Sequence, residues 1–336
     1  MGQDEELLPC TRSSQPVIAP ASPISLVDDS AVLRKFLIPS DDVQVVEQIG
    51  EGSSGVVYRG TFKDVEKVAI KELKGALVKG SKMQGQLRRE ALSLISCAHR
   101  NVLKFYGIWL NPSYTICIVT KFMEGGSLFN YLAKKKSLPT KVIIKLARDI
   151  ARGMQFLHSR GVLHMDLKSA NVFLDEEGNA VIGDLGIARL VNEKDGECPE
   201  IGTYRWMAPE VLNGTDGESP EIGTYRCLAP EVWARSKSDS KGNAWPFSYK
   251  SDVYSFGILL WELVTCKLPY ADYSPVQAAV GVMMHGLRPP IPASTFPPLR
   301  FLIQKCWDQK PSNRPHFFQI LEMLDIISLH AQKCNQ

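Results

Sequence analysis

An α+β fold of two unequal lobes is the class this sequence predicts, on three observations. Residues 43–120 hold short β-branched and aromatic runs separated by glycines and polar turns, the texture of a small antiparallel sheet. Residues 125–330 hold long stretches with apolar side chains at helical spacing, the texture of a larger, mainly helical lobe. Between them Lys121–Glu124 runs into Gly125-Gly126, a short hinge of mixed character (121–124). At 336 residues, 44% hydrophobic and 22% charged, the chain can bury a large core without a disulfide or metal.

The elements follow in order. Residues 1–42 carry Pro16, Pro20, Pro23 and Pro39 among serines and acids, and read as a disordered Pro- and Ser-containing tail with one turn of helix near Ala31–Phe36. Val43–Ile49, a glycine cluster, Val56–Tyr58 and Lys67–Lys71 make an antiparallel meander, with Gly60 as a plain turn residue. Leu87, Ala91, Leu94 and Ile95 form the stripe of the small lobe's one helix. Strands are predicted again at Val102–Trp109 and Thr115–Thr120. In the larger lobe Ile143, Ala147, Ile150, Met154 and Leu157 mark a helix over Thr140–His158. A hairpin of Val172–Leu174 and Ala180–Ile182, helices near Ser251–Val264 and Leu299–Trp307, and a tail at 331–336 complete the chain.

Composition excludes several classes. The net charge of +3 and the lack of a long basic block argue against a nucleic-acid binder, and Lys134-Lys135-Lys136 reads as a solvated helix end. The apolar run at Gly257–Leu260 is interrupted by Glu262 and too short to cross a bilayer, so no stable membrane insertion is expected. Eight cysteines without a C-x-x-C pair read as reduced thiols in the cytosol or nucleus, and a cytoplasmic setting is the expectation. One internal repeat stands out. Gly196–Val211 recurs as Gly217–Val232 with three of sixteen positions changed: Cys198/Ser219, Trp206/Cys227 and Met207/Leu228. A single doublet is a local tandem duplication, since a solenoid needs three or more units.

Chemistry enters with the glycines. Gly50-x-Gly52-x-x-Gly55-x-Val57 would be weak evidence alone, and a dinucleotide fold would follow it with a helix. Here a second strand follows, which suits a flap whose backbone N–H groups close over phosphates. Lys71, in Val68-Ala69-Ile70-Lys71, needs a carboxylate to hold its ammonium against phosphate, and Glu90 on the following helix is the candidate. The densest stretch is His164-Met165-Asp166-Leu167-Lys168-Ser169-Ala170-Asn171. Asp166 can accept a hydroxyl proton, Lys168 can neutralise charge in flight, and Asn171 can ligate magnesium. Asp184-Leu185-Gly186 supplies a second magnesium ligand beside a sharp turn. Singly, each Asp is more often a turn or cap residue. In this order and spacing, chance explains them poorly.

Residues 43–330 resemble the protein kinases. The glycine loop, the Val-Ala-Ile-Lys strand, the loop around Asp166, the Asp184 turn and Ala208-Pro209-Glu210 occur in that family's order. The resemblance implies the two-lobed protein kinase fold, ATP and Mg2+ as cofactors, and protein substrates. It implies a nucleotide site of Ile49, Gly50, Gly52, Gly55, Val57, Ala69, Lys71, Glu90, Thr120, Phe122 and Met123, with Lys121–Met123 as the hinge that reads adenine. It also implies that Asp252 anchors the loop around Asp166, and that Glu210 or its copy Glu231 pairs with Arg314. Both cannot occupy one docking site, and the first copy is expected there because it keeps Trp206-Met207. Lys168 and Gly202-Thr203 are similar to Ser/Thr-specific members, whereas Asp252-Val253-Tyr254-Ser255-Phe256-Gly257 and Cys306-Trp307 are similar to tyrosine kinases. That hybrid is typical of the tyrosine-kinase-like group, Raf-like and mixed-lineage-like. Met165 departs from the arginine common before the catalytic Asp, which weakens the electrostatic reason for phosphorylation-gated ordering. Leu185 for Phe is mild. The expectation is therefore an ATP-dependent Ser/Thr kinase in intracellular signalling, with the tail as the place for signalling partners. The alternative is a pseudokinase scaffold that binds nucleotide but transfers phosphate poorly because of the duplication. Small-molecule phosphotransfer is disfavoured by the protein-docking Ala208-Pro209-Glu210.

Overall fold

Side-chain alternation builds the smaller lobe. The computed structural model describes residues 35–52, 55–73, 98–113, 115–185, 188–190, 201–213 and 248–333. Within them β1 (Leu37–Ile38), β2 (Val43–Gly52), β3 (Gly55–Phe62), β4 (Glu66–Glu72), β5 (Phe105–Leu110) and β6 (Ile116–Lys121) form one six-stranded sheet in the order β1-β5-β6-β4-β3-β2. Val68 and Ile70 of β4 point to one face, where they pack with Val43, Trp109, Cys117 and Val119. Ala69 and Lys71, one residue out of phase, necessarily face the other side. The meander over β2, β3 and β4 is antiparallel throughout.

Two expectations are corrected here. The predicted tail does not extend to residue 42: Leu37–Ile38 pairs in parallel with Ile108–Trp109 of β5, and the Ile108 N–H donates to the Phe36 carbonyl at 2.8 Å. Lys35 and Phe36 are in a turn rather than a helix, and Ala31–Arg34 lie outside the described residues. Gly60 is no turn residue either. It sits buried inside β3 beside a register shift in β2, where a Cβ would stand 2.3 Å from the Gln44 carbonyl oxygen. The helix predicted around Leu87, Ala91, Leu94 and Ile95, with Glu90, and the second repeat copy with Glu231, also lie outside the described residues.

The larger lobe contains α1 (Leu128–Ala133), α2 (Thr140–Ser159), α3 (Pro209–Asn213), α4 (Tyr249–Thr265), α5 (Pro275–His285), α6 (Pro297–Cys306) and α7 (Phe317–Lys333). Two-stranded pairs are β7 (Val162–Leu163) with β10 (Arg189–Leu190), and β8 (Val172–Leu174) with β9 (Ala180–Ile182). The structure thus places α2 and the β8–β9 hairpin within a residue of the sequence reading. It starts each of the other two predicted helices two residues earlier, ends α4 one residue later and α6 one residue earlier, and adds α1, α3, α5 and α7. Lys134, Lys135 and Lys136 are exposed at the end of α1, as expected of a solvated terminus.

Helix α4 is the axis of this lobe. Ser248 caps it by accepting from the Lys250 N–H, while the Ser251 hydroxyl returns a bond from the Ser248 N–H, a reciprocal capping box. Cys266 ends it in a left-handed conformation (φ 51°). It buries Tyr254, Phe256, Ile258, Leu259, Leu260 and Leu263 completely, each of the large apolar ones contributing about 1.5–3 kcal/mol. Asp252 and Glu262 are buried on the same helix. Among the described residues no helix is long and apolar enough to cross a membrane.

Candidate active site

The cleft between the lobes is lined on its upper side by the sheet face that carries Ala69 and Lys71. Cross-strand pairing sets Gly50 against Val57, Val57 against Lys71, and Ala69 against Thr120, so these predicted positions are neighbours. Gly55 is required where it stands, because its φ is 145° and a Cβ would lie 2.0 Å from the Glu72 carbonyl oxygen. Val57 and Ala69 are half-buried and Thr120 is buried, while Ile49 keeps an exposed side chain near the tip of β2, whose last residue is Gly52. At the hinge the Phe122 N–H is held by the Lys67 carbonyl at 3.0 Å. Met123 is buried beside Leu103, Phe173 and Val181, with Phe173 of β8 a partner the sequence reading did not name.

The lower side is the loop between β7 and β8. Lys168 Nζ and Asn171 Nδ2 each donate to Asp166 Oδ2 at 2.8 Å, and Asn171 Nδ2 also donates to the Asp166 carbonyl at 2.9 Å. One carboxylate oxygen is thereby fixed. The other, Oδ1, is buried and has no hydrogen-bond partner among the described residues. With its amide nitrogen used in this way, Asn171 leaves its Oδ1 as the end that can meet a cation. Met165 and Asp184, on either side of the site, have left-handed backbones (φ 67° and 52°), a sparsely populated state for side chains of this kind.

Asp252 supports this strained loop from below. Its Oδ2 accepts from the His164 N–H at 3.0 Å and bonds His158 Nε2 at 2.8 Å; its Oδ1 accepts from the Met165 N–H at 2.9 Å. Burial would push its carboxyl up, but the His158 bond and these donors outweigh it and hold it below the usual carboxylate range. His164 Nδ1 accepts from the Asp166 N–H at 3.3 Å, which leaves Nε2–H to donate to the Gly183 carbonyl at 3.2 Å. The loop is thus tied to the residue before Asp184. Asp184 receives Lys71 Nζ at 3.2 Å across the cleft. Its side chain lies deep between the lobes yet 41% open to the cleft; burial pushes its carboxyl up, and the Lys71 charge and hydrogen bond more than offset that. It stays ionised.

The first repeat copy docks against the larger lobe. Glu210 accepts from Arg314 Nη1 at 2.6 Å and Nη2 at 2.8 Å, and Arg314 is wholly buried over the Tyr254 ring. Arg205 caps the Pro269 carbonyl at 2.9 Å, the Tyr273 carbonyl at 2.7 Å and the Tyr270 carbonyl. Trp206 Nε1 donates to Glu262 Oε2 at 2.8 Å, and Ser169 Oγ donates to Glu262 Oε1 at 2.6 Å. His158, Ser169 and Glu262 were not singled out by sequence reasoning as working parts of the site. Glu262 did leave a signal, as the one acid interrupting the apolar run of α4.

A family model described as protein tyrosine and serine/threonine kinase matches residues 43–324. The chain belongs to this kinase family. Serine/threonine-protein kinase STY46 of Arabidopsis thaliana is 38% identical over 304 residues, covering 87% of this chain and 47% of the relative. Serine/threonine/tyrosine-protein kinase HT1, also from Arabidopsis thaliana, is 36% identical over 83% of this chain and 64% of its own length. Human serine/threonine-protein kinase TNNI3K is 31% identical over 96% of this chain and 38% of its own length. The chain thus spans about half the length of STY46, and less than two thirds of the length of each of these relatives. Its mixed motifs put this kinase in the tyrosine-kinase-like group. The kinase fold is the two-lobed one, with the sheet above and the helices below the cleft just described.

Proposed function

We propose that this kinase transfers the γ-phosphate of ATP to Ser and Thr hydroxyls of protein substrates, through a catalytic domain spanning residues 43–330. The reading is carried by one observation: Asp166 is held by Lys168 and Asn171 through Oδ2 while its buried Oδ1 stays unpaired. A buried acceptor without a donor costs stability, and the incoming substrate hydroxyl is the donor that satisfies it. Asp166 orients that hydroxyl and takes its proton. Lys168, 2.8 Å from the same carboxylate, stabilises negative charge as it passes to the phosphoryl oxygens. Lys71 steers the nucleotide's inner phosphates, and Ile49, Val57, Ala69, Thr120, Phe122 and Met123 enclose the base.

Magnesium, when bound with ATP, neutralises the β- and γ-phosphate oxygens. Asn171 Oδ1 and the ionised Asp184 are hard oxygen donors suited to it. Ser/Thr preference is supported by Lys168 and by the similarity to the serine/threonine-protein kinases STY46 and TNNI3K. Signalling partners of the N-terminal segment and a cytoplasmic setting belong to the same proposal.

The test is radiolabelled phosphate transfer to a generic basic protein, and to Ser, Thr and Tyr peptides, by wild type beside Asp166→Ala. Transfer to Ser and Thr that falls by roughly 10²–10⁴ in the variant supports the assignment. Nucleotide binding without transfer by wild type overturns it.

A further inference from the structure

We infer that Glu262 is a positioning residue that joins the docked segment to the loop bearing Asp166, and that its need for an indole N–H selects the first repeat copy over the second. Glu262 is buried in the middle of the larger lobe, 1% exposed; each of its oxygens has one side-chain donor, and the Ser169 backbone N–H also bonds the carboxyl. Oε1 takes the Ser169 hydroxyl and Oε2 takes the Trp206 indole. Ser169 opens the 3₁₀ turn Ser169–Asn171, and Asn171 is what grips Asp166. Trp206 is bound to α4 twice, because its carbonyl also accepts from Ser255 Oγ at 2.8 Å. One carboxyl therefore fixes both the start of the Asn171 turn and the end of the substrate-side segment. Burial pushes that carboxyl up to about 7 against the pull of its hydrogen bonds from Ser169 and Trp206 and of the Lys168 charge, so the site tolerates the loss of a donor poorly.

The duplication makes this bond a discriminator. Arg205 and Glu210 recur in the second copy as Arg226 and Glu231, so the caps on the Pro269 and Tyr273 carbonyls and the Arg314 pair are available to either copy. Met207 becomes Leu228, a change that nearly conserves volume. Trp206 becomes Cys227, whose thiol is short and a weak donor. A docked second copy would leave Glu262 Oε2 buried without a donor and empty the space of an indole that is 6% exposed. Left unsatisfied, a buried acceptor shifts the choice by roughly tenfold to a hundredfold.

Two experiments test this; the kinetic arms rest on the phosphotransfer reading, and the exchange arm does not. Hydrogen exchange over residues 201–213 is followed in wild type, Glu262→Gln and Glu262→Leu, with melting temperatures to exclude misfolding. Gln keeps an oxygen for Trp206 and offers N–H to the Ser169 hydroxyl, giving up only the bond from the Ser169 backbone N–H, so protection and kcat stay within about threefold. Leu offers neither, so exchange accelerates at least about tenfold, kcat falls by a similar factor, and KM rises for protein but not for ATP. The double exchange Trp206→Cys with Cys227→Trp then moves the acid needed for activity from Glu210 to Glu231. Wild-type exchange in Glu262→Leu, equal damage in Glu262→Gln, or continued dependence on Glu210 after the exchange each overturns the inference. A wild type that transfers no phosphate overturns the kinase reading, and the exchange arm still judges Glu262.

Discussion

Asp166 and Glu262 illustrate opposite uses of a buried carboxyl. Asp166 has one buried oxygen without a hydrogen-bond partner among the described residues, whereas Glu262 has both oxygens taken. Their acid–base consequences differ as well. The Glu262 carboxyl rises from 4.5 to about 7 on folding, so between these values the folded state holds the proton more firmly than the unfolded one. Its contribution to stability is fully present below about pH 4.5 and is lost as the pH rises through 7. Asp184 and Asp252, both depressed, act in the opposite sense and lose their contribution as the pH falls below the usual carboxylate range. Glu262→Gln, which cannot ionise, is therefore expected to gain melting temperature relative to wild type between pH 5 and pH 8; a constant difference across that range would refute the assignment. Met165 yields another prediction. It is buried where an arginine would otherwise wait for a loop phosphate, so phosphatase treatment is expected to leave kcat/KM within about twofold. Loss of turnover after phosphatase, matched by a folded but inactive Thr203→Ala, would count against it. Asp166, Asn171 and Asp184 were legible in the sequence because they lie within one short stretch. His158 and Glu262 were not, since their partners Asp252 and Ser169 lie 94 and 93 positions away.

Helix α4 is the element on which these contacts converge: Asp252 at its start carries the loop backbone, Ser255 and Glu262 carry Trp206, and Lys250 supplies a carbonyl to Arg314 at 2.9 Å. Its apolar run made the helix itself readable, and only two residues at its start and one at its end were missed. The short α3 was not readable as a helix, because five residues hold too little periodicity and its position depends on the Glu210–Arg314 pair. That pair supports a sharp comparison. Glu210→Ala leaves a buried guanidinium half-paired and is expected to cost on the order of 3–5 kcal/mol, read as a fall in denaturation midpoint. Glu231→Ala is expected to cost under about 0.5 kcal/mol. Equal losses from the two would show that the copies share the dock. Gly60 teaches the limit of turn chemistry read from sequence. A glycine beside a register shift in the neighbouring strand looks the same as one in a loop, and only the close Gln44 carbonyl tells them apart.

At the scale of the molecule, among the described residues the sheet ends at Lys121 and the α-helices begin at Leu128, on either side of the change of texture at Lys121–Glu124. The lobes meet through Lys71 and Asp184, 113 positions apart, a contact that only the fold could reveal. Strand β1 was the least legible feature, because two residues of strand carry no pattern of their own. Those two residues matter for the protein's behaviour in solution. The far side of the sheet ends in β5, whose Phe105–Leu110 is mostly apolar, and β1 is the strip that covers this margin. Gly107 has no side chain, and a Cβ there would stand 2.4 Å from the Phe36 carbonyl oxygen, so the cover lies flush. A shortened protein begun at Val43 would present bare backbone N–H and C=O groups along a flat, greasy rim, the kind of margin on which strands of separate molecules add to one another. Such a variant is expected to self-associate with rising concentration in light scattering while the longer chain does not.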